Sequence, residues 1–292
     1  QRWGYWAIER CDVRAVVEVV PGIVVMTSRR YATTSTLVMG RGEALVVDPS
    51  WDPDELGDVS DVIAAAGASC AAGLATHEHY DHVLWHPSLP DVPRWATPWS
   101  VDHWRTSRDE LLAPLKGDLP EVLIDLAGRL TPCPTAPRSA AAVPGVPYPR
   151  DTVLPPEYHL PWIGRDVILH EHDAHARGHV AVEIPDAGVL LAGDMLSDIE
   201  LPYPDPAEPD LVAYLVGLER LVSVVGRSTM LIPGHGSPTS EPMARLDADR
   251  AYLEAILAGR DPDDPRRADP WMEQLHEANV RQARATGPSP PG

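Results

Sequence analysis

The chain has 292 residues, 44% of them hydrophobic, enough to bury a full core in one large domain or two small ones. Its formal net charge of −19 repels phosphate backbones and anionic lipid, so neither nucleic acid nor a membrane surface is an expected partner. No window holds 18 consecutive apolar residues, so no transmembrane helix is expected.

In chain order, Val16–Val20 and Gly22–Thr27 are β-branched runs separated by Pro21 and read as strands. Thr33–Met39 and Ala44–Val47 read as a hairpin turning at Gly40–Gly42, and Asp48-Pro49 stops its second strand. Pro53 to Ala66 has the pattern of a helix closed by Gly67. Ala71–Thr76 is a short apolar strand that runs directly into a histidine cluster. From about 104 to 160 the character changes, with an amphipathic piece near Trp104–Leu112 and a Pro/Ala-rich stretch over Thr131–Pro149. This segment reads either as a surface insertion or as a lid over a site. Asp166–His170, Val180–Ile184 and Gly188–Ala192 are three further strands. Pro209 to Val225 has helical apolar spacing, and Thr229–Ile232 is one more strand. The tail carries two amphipathic helices, over Pro242–Leu257 and Asp269–Arg284. The whole reads as a single domain over residues 1–292, with an insertion at about 104–160 and C-terminal helices at about 242–286.

Phe is absent, so nine Trp and eight Tyr supply the large aromatic packing. Trp85, Trp95, Trp99 and Trp104 cluster near the histidines; most are expected in the core, with one or two lining a substrate pocket. Cys11, Cys70 and Cys133 are odd in number, widely spaced and form no CxxC pair, which points to reduced thiols in a cytoplasmic protein. Gln1 to Arg10 shows no basic stretch followed by an apolar run, so no signal peptide is expected.

The chemistry concentrates in Thr76-His77-Glu78-His79-Tyr80-Asp81-His82. Burying so many polar side chains without partners would cost roughly 1–3 kcal/mol each, so they are not plain core groups. Neutral imidazole and carboxylate are ligands that Zn²⁺ favours. Extended backbone would put His77, His79 and Asp81 on one side, and a turn at Asp81 would swing His82 to a second position. Three more pieces follow apolar strands: His175-Ala176-Arg177-Gly178-His179, Gly193-Asp194 and Pro233-Gly234-His235-Gly236. Asp48, at a strand end, reads either as a carboxylate orienting an imidazole or as a turn residue before Pro49. His170 and His172 read as strand or rim residues, and His86, His103, His159 and His276 as surface or capped residues without a role.

The ordered set HxHxDH, HxxGH, GD and PGHG resembles the metallo-β-lactamase superfamily, over about residues 16 to 240. The resemblance implies an α/β fold, a four-layer αβ/βα sandwich of two mixed β-sheets flanked by helices. It implies that His77, His79 and His175 hold one metal, that Asp81, His82 and His235 hold a second, and that Asp194 bridges them. His175 is preferred to His179 because it stands three and four residues before Gly178-His179, as in the glyoxalase II and lactonase branches, which leaves His179 a supporting or packing residue. Two Zn²⁺ are the implied cofactors, with Mn or Fe as alternatives. The implied reaction is hydrolysis of a small-molecule ester, thioester, lactone or amide by a hydroxide held between the metals, with Asp81 and Asp194 as catalytic residues. Val83-Leu84-Trp85-His86-Pro87 replaces the family's common Gly-Gly turn. Met195-Leu196-Ser197-Asp198 lacks the basic or tyrosine positions of glutathione-thioester and acyl-homoserine-lactone enzymes, so neither substrate carries over. A mononuclear iron persulfide-dioxygenase-like enzyme and a β-lactamase proper are the alternatives, and nothing in the sequence sets the oligomeric state.

Overall fold

The computed structural model describes residues 14–134, 157–205 and 210–286. The chain divides into two compact units, the first comprising residues 1–133, 161–166 and 234–237, the second 134–160, 167–233 and 238–292.

In the first unit the strands are β1 (Ala15–Val20), β2 (Ile23–Thr27), β3 (Thr34–Gly40), β4 (Glu43–Val47), β5 (Ser69–Leu74), β6 (Arg94–Ala96) and β7 (Thr131–Pro132). Among the described residues they form one sheet in chain order, antiparallel from β1 to β4 and parallel from β4 to β7. The parallel half explains the apolar run of β4, which is covered on both faces. Helix α1 (Pro53–Ala65) turns Val59 and Ile63 onto Met26, Leu37, Ala44 and Val46. A single helical turn, α2 (Tyr80–Val83), follows the histidines.

Helix α3 (Pro98–Leu112) and α4 (Glu121–Leu126) complete the unit. Thr97 caps α3 by accepting from the Ser100 amide at 3.3 Å, and Pro98 pre-sets the first helical residue. The stretch set apart in sequence from about 104 as an insertion is, as far as Cys133, part of this unit's core. Trp104, Leu112, Leu115, Leu123 and Ala127 are buried in one cluster, and β7 pairs with β6. Widely spaced apolar anchors amid charged residues had concealed their common face. The Pro/Ala-rich residues 135–156, within the segment 104–160 that reads as an insertion or a lid, lie outside the described residues. Trp85, Trp95 and Trp104 are core residues, while Trp99 is half-buried and packs on the His103 ring at 4.7 Å.

The second unit holds β8 (Glu157–His159), β9 (Ile168–Glu171), β10 (Val180–Ile184), β11 (Val189–Gly193) and β12 (Met230–Pro233). Among the described residues their order is β12-β11-β10-β9-β8, with β11 and β12 parallel and the other pairs antiparallel. Helices α5 (Leu211–Arg227), α6 (Pro242–Leu257) and α7 (Pro270–Thr286) pack Leu218, Leu221, Leu246, Tyr252, Leu253 and Met272 into one core with Leu190, Ala192 and Leu231 of the strands. Asp210 caps α5 through the Ala213 amide at 2.8 Å. The fold is thus mixed α/β, with two mixed sheets and flanking helices. No helix among the described residues is long and apolar enough to cross a membrane.

Candidate metal centre

Parallel pairing of β4 and β5 brings both strands to their C-terminal ends side by side, where the Asp48 amide donates to the Leu74 carbonyl at 3.0 Å. This register sets Asp48 against the first residue of the histidine run. Its Oδ1 accepts from the Thr76 amide at 2.9 Å and its Oδ2 from the Thr76 hydroxyl at 2.8 Å. The same Oδ2 lies 3.0 Å from His82 Nδ1. Of the two readings of Asp48, the orienting carboxylate is the one the geometry favours. The Thr76 hydroxyl, its proton given to Asp48, stands 3.1 Å from His77 Nδ1 and is left to accept from it. One carboxylate therefore reaches two candidate ligands, one directly and one through a threonine.

His77 Nε2 and His79 Nδ1 stand 2.9 Å apart, two ring nitrogens brought to one point. Helix α2 then turns the chain, so Asp81 parts from His77 and His79 and joins His82 and His235. Asp81 Oδ2 lies 3.5 Å from His82 Nε2 and 3.4 Å from His235 Nε2. All three residues are buried, and their ligand atoms lie within 4.8 Å of one another. His235 is fixed by a bridge to Thr33, with its Nδ1 3.1 Å from the Tyr31 carbonyl and 3.3 Å from the Thr33 hydroxyl. Buried imidazoles and a carboxylate converging through atoms not used for anchoring are the donor set of a zinc-type site.

In the second unit, β9 and β11 both run antiparallel to β10 and so end on the same edge. His175 follows β9, and Asp194 follows β11 through Gly193, whose φ of +58° suits a residue without Cβ. His175 Nδ1 meets the Tyr203 carbonyl at 2.5 Å, and its Nε2 lies 3.7 Å from Asp194 Oδ2. His179 is fully buried, with its ring 4.6 Å from that of His172 and 5.6 Å from that of His175.

Two histidines depart from expectation. His172, read as a strand or rim residue, is fully buried; its Nδ1 accepts from the Ala174 amide at 3.2 Å. Burial, reinforced by the positive Arg220, pushes its pKa down to about 3, so the ring is neutral. His276, read as a surface or capped residue, is buried with Nδ1 3.1 Å from the Tyr252 hydroxyl. The partner of His276 is 24 residues away and the burial of His172 comes from tertiary packing, neither of which local composition reports. His170 is a strand residue as expected, 2.7 Å from Glu183. The sequence marks no role for Thr76, Tyr31, Thr33 or Tyr203. Thr76 has a signal, its place directly before the candidate ligand run; the two tyrosines act through backbone carbonyls, which carry none.

Mixed sheets whose strand ends carry histidine and aspartate groups with metal-donor chemistry define the class of protein. A sequence profile described as the metallo-beta-lactamase superfamily matches residues 29–258, and the chain belongs to that superfamily. The fold agrees. A metallo-beta-lactamase from Erythrobacter litoralis, solved with beta-mercaptoethanol in the active site, is 16% identical, with 84% of this chain and 98% of that one covered and a TM-score of 0.58. A metallo-beta-lactamase from Pontibacter korlensis is 14% identical, with 83% and 99% covered and a TM-score of 0.58. DIM-1 metallo-beta-lactamase is 15% identical, with 82% and 97% covered and a TM-score of 0.54. No curated protein sequence matches the chain.

Proposed function

We propose that the protein is a dinuclear-metal hydrolase of a small-molecule ester, thioester, lactone or amide. By the family resemblance His77, His79 and His175 would hold one cation, Asp81, His82 and His235 the other, and Asp194 would serve both. The observation that carries this reading is the anchoring of two imidazoles: Nδ1 of His175 and of His235 each meets a backbone carbonyl, which leaves Nε2 as the donor, and His82 Nδ1 lies 3.0 Å from Asp48. Zn²⁺ suits such a donor set best, with Mn or Fe as alternatives. When bound, two such cations supply a water activated at neutral pH and a Lewis acid for the substrate carbonyl. Asp81, whose Oδ2 lies 3.4 Å from His235 Nε2, would help hold the second cation and shuttle a proton. The Asp48 charge, 3.0 Å from His82 Nδ1, would favour a proton there and leave Nε2 for a metal, and Thr76 would do the same for His77. The acidic composition supports a small substrate over nucleic acid or membrane, and the odd, scattered cysteines support a cytoplasmic location.

The test is metal analysis and turnover on one panel: p-nitrophenyl esters, thioesters, lactones and a chromogenic cephalosporin, each with Zn²⁺, Mn²⁺ or Fe²⁺. The cephalosporin belongs there because the similar solved structures are named metallo-beta-lactamases. Asp194→Ala is expected to lose both activity and metal content. Full activity in that variant ends the scheme, and one iron per chain without zinc would favour dioxygenase chemistry.

A further inference from the structure

Between Asp194 and Asp205 the chain forms no strand or helix, yet it joins the two candidate ligands of the second unit. Asp194 is one end of this strap. At the other end the Tyr203 carbonyl meets His175 Nδ1, and the Asp205 amide donates to the His175 carbonyl at 2.7 Å. The strap is held from the C-terminal part of the chain. Asp249 of α6 accepts from the Leu196 amide at 3.2 Å, two residues past Asp194. Arg266, in the short turn between α6 and α7, donates from Nη1 to the Ser197 carbonyl at 3.1 Å, the Glu200 carbonyl at 2.8 Å and Asp249 Oδ1 at 2.6 Å. Its remaining nitrogens, Nε and Nη2, are engaged by Asp264 at 3.0 and 2.8 Å. Asn279 of α7 donates to the Pro202 carbonyl at 2.8 Å, one residue before Tyr203. Leu196 sits at φ +58°, a conformation that a leucine keeps only when its surroundings over-determine it.

Arg266 and Asp249 are both buried. A buried ion pair is a poor source of stability, because desolvation offsets much of the attraction. It is a good source of geometry when, as here, the planar guanidinium is used on every nitrogen and two of its bonds go to strap carbonyls.

We propose that Arg266, backed by Asp249, is a positioning residue for the metal centre, clamping the strap 194–205 so that Asp194 and the His175 ring are held in their donor orientation. The inference rests on the reading of Asp194 and His175 as metal ligands. It makes the C-terminal helices part of the metal-binding apparatus, although they carry none of the ligands.

The experiment measures zinc affinity by chelator competition in the full-length wild type, Arg266→Lys, Arg266→Met/Asp249→Asn and Asp194→Ala, with thermal unfolding of the metal-free proteins alongside. The double variant removes both buried charges and keeps an oxygen for the Leu196 amide. Both Arg266 variants are expected to bind zinc about 10–100-fold more weakly, the range seen when supporting partners of ligands are lost. A merely structural role would lower the unfolding temperature and leave the zinc affinity of the folded protein at the wild-type value, which overturns the proposal. If Asp194→Ala itself binds zinc as wild type does, the ligand reading fails instead, and the clamp with it. Should the Arg266 variants not fold, hydrogen exchange on the wild type decides. Zinc should then slow exchange both in 194–205 and in 264–268; protection confined to the strap overturns the clamp.

Discussion

Asp48 stands at φ +51°, a left-handed conformation that aspartate and asparagine adopt more readily than most residues. That backbone turn aims its carboxylate at Thr76 and His82 at once. Asp48→Asn tolerates the same φ but removes the charge that favours a proton on His82 Nδ1. We expect about a 10–100-fold loss of zinc affinity in that variant with the fold kept, read by chelator competition; an unchanged affinity would show that His82 needs no such partner. Much of the candidate site was legible at this scale, because residue types able to hold a metal are few and the family spacing is tight. Asp48 was visible as a carboxylate at a strand end, but its two readings were separated only by the neighbours it meets. His172 shows the opposite case. A lone histidine is ambiguous in sequence, and only its enclosure decides that it is a neutral core group.

At the scale of elements, α5 presses directly on the turn before His175. A Cβ built on Gly217 would lie 2.5 Å from Ala174 Cβ and 2.9 Å from the His172 carbonyl oxygen, while Arg220, one turn on, donates to that same carbonyl at 3.0 Å. Gly217→Ala should therefore destabilise by about 1–3 kcal/mol, since the packed backbone has no room to yield. Gly226 of the same helix supplies the control, for its Cβ would meet only Met243 Sδ at 3.8 Å. Gly226→Ala should stabilise by about 0.5–1 kcal/mol through helix propensity. Thermal or urea unfolding checks the pair, and equal effects of one sign would refute the close approach. Strands and long helices were readable because period and punctuation are local signals. The segment 98–133 was not, since α3, α4 and β7 are short and earn their place by packing on the rest of their unit.

For the molecule as a whole, two buried groups tie stability to pH. The Glu183 carboxyl is pushed up by burial, but hydrogen bonds from His170 and Arg227 outweigh this and hold it down at about 2, below its ordinary 4.5. Its contribution is present above pH 4.5 and is lost as pH falls toward 2. His172, held at about 3 by burial, refuses a proton that the unfolded chain takes near 6.5, so stability drains from pH 6.5 down to 3. Both effects have one sign. Urea unfolding of the metal-free protein should give falling stability on acidification below pH 6.5, and Glu183→Gln should cost about 1–3 kcal/mol near neutrality while flattening the curve below pH 4.5. A flat profile from neutrality to pH 3 would remove the argument.

By itself the sequence determined the family, the order of strands and helices, and the types of residue offered to a metal, because these depend on periodicity and on motifs a few residues long. Only the tertiary structure decided which ring nitrogen of each histidine is anchored. The carbonyl that meets His235 comes from 204 residues away and the one that meets His175 from 28, and a backbone oxygen has no signature in the side chain above it. Likewise Arg266 is one arginine among many until folding buries it against a strap 66 and 69 residues earlier, where a charge must find partners or not be buried at all.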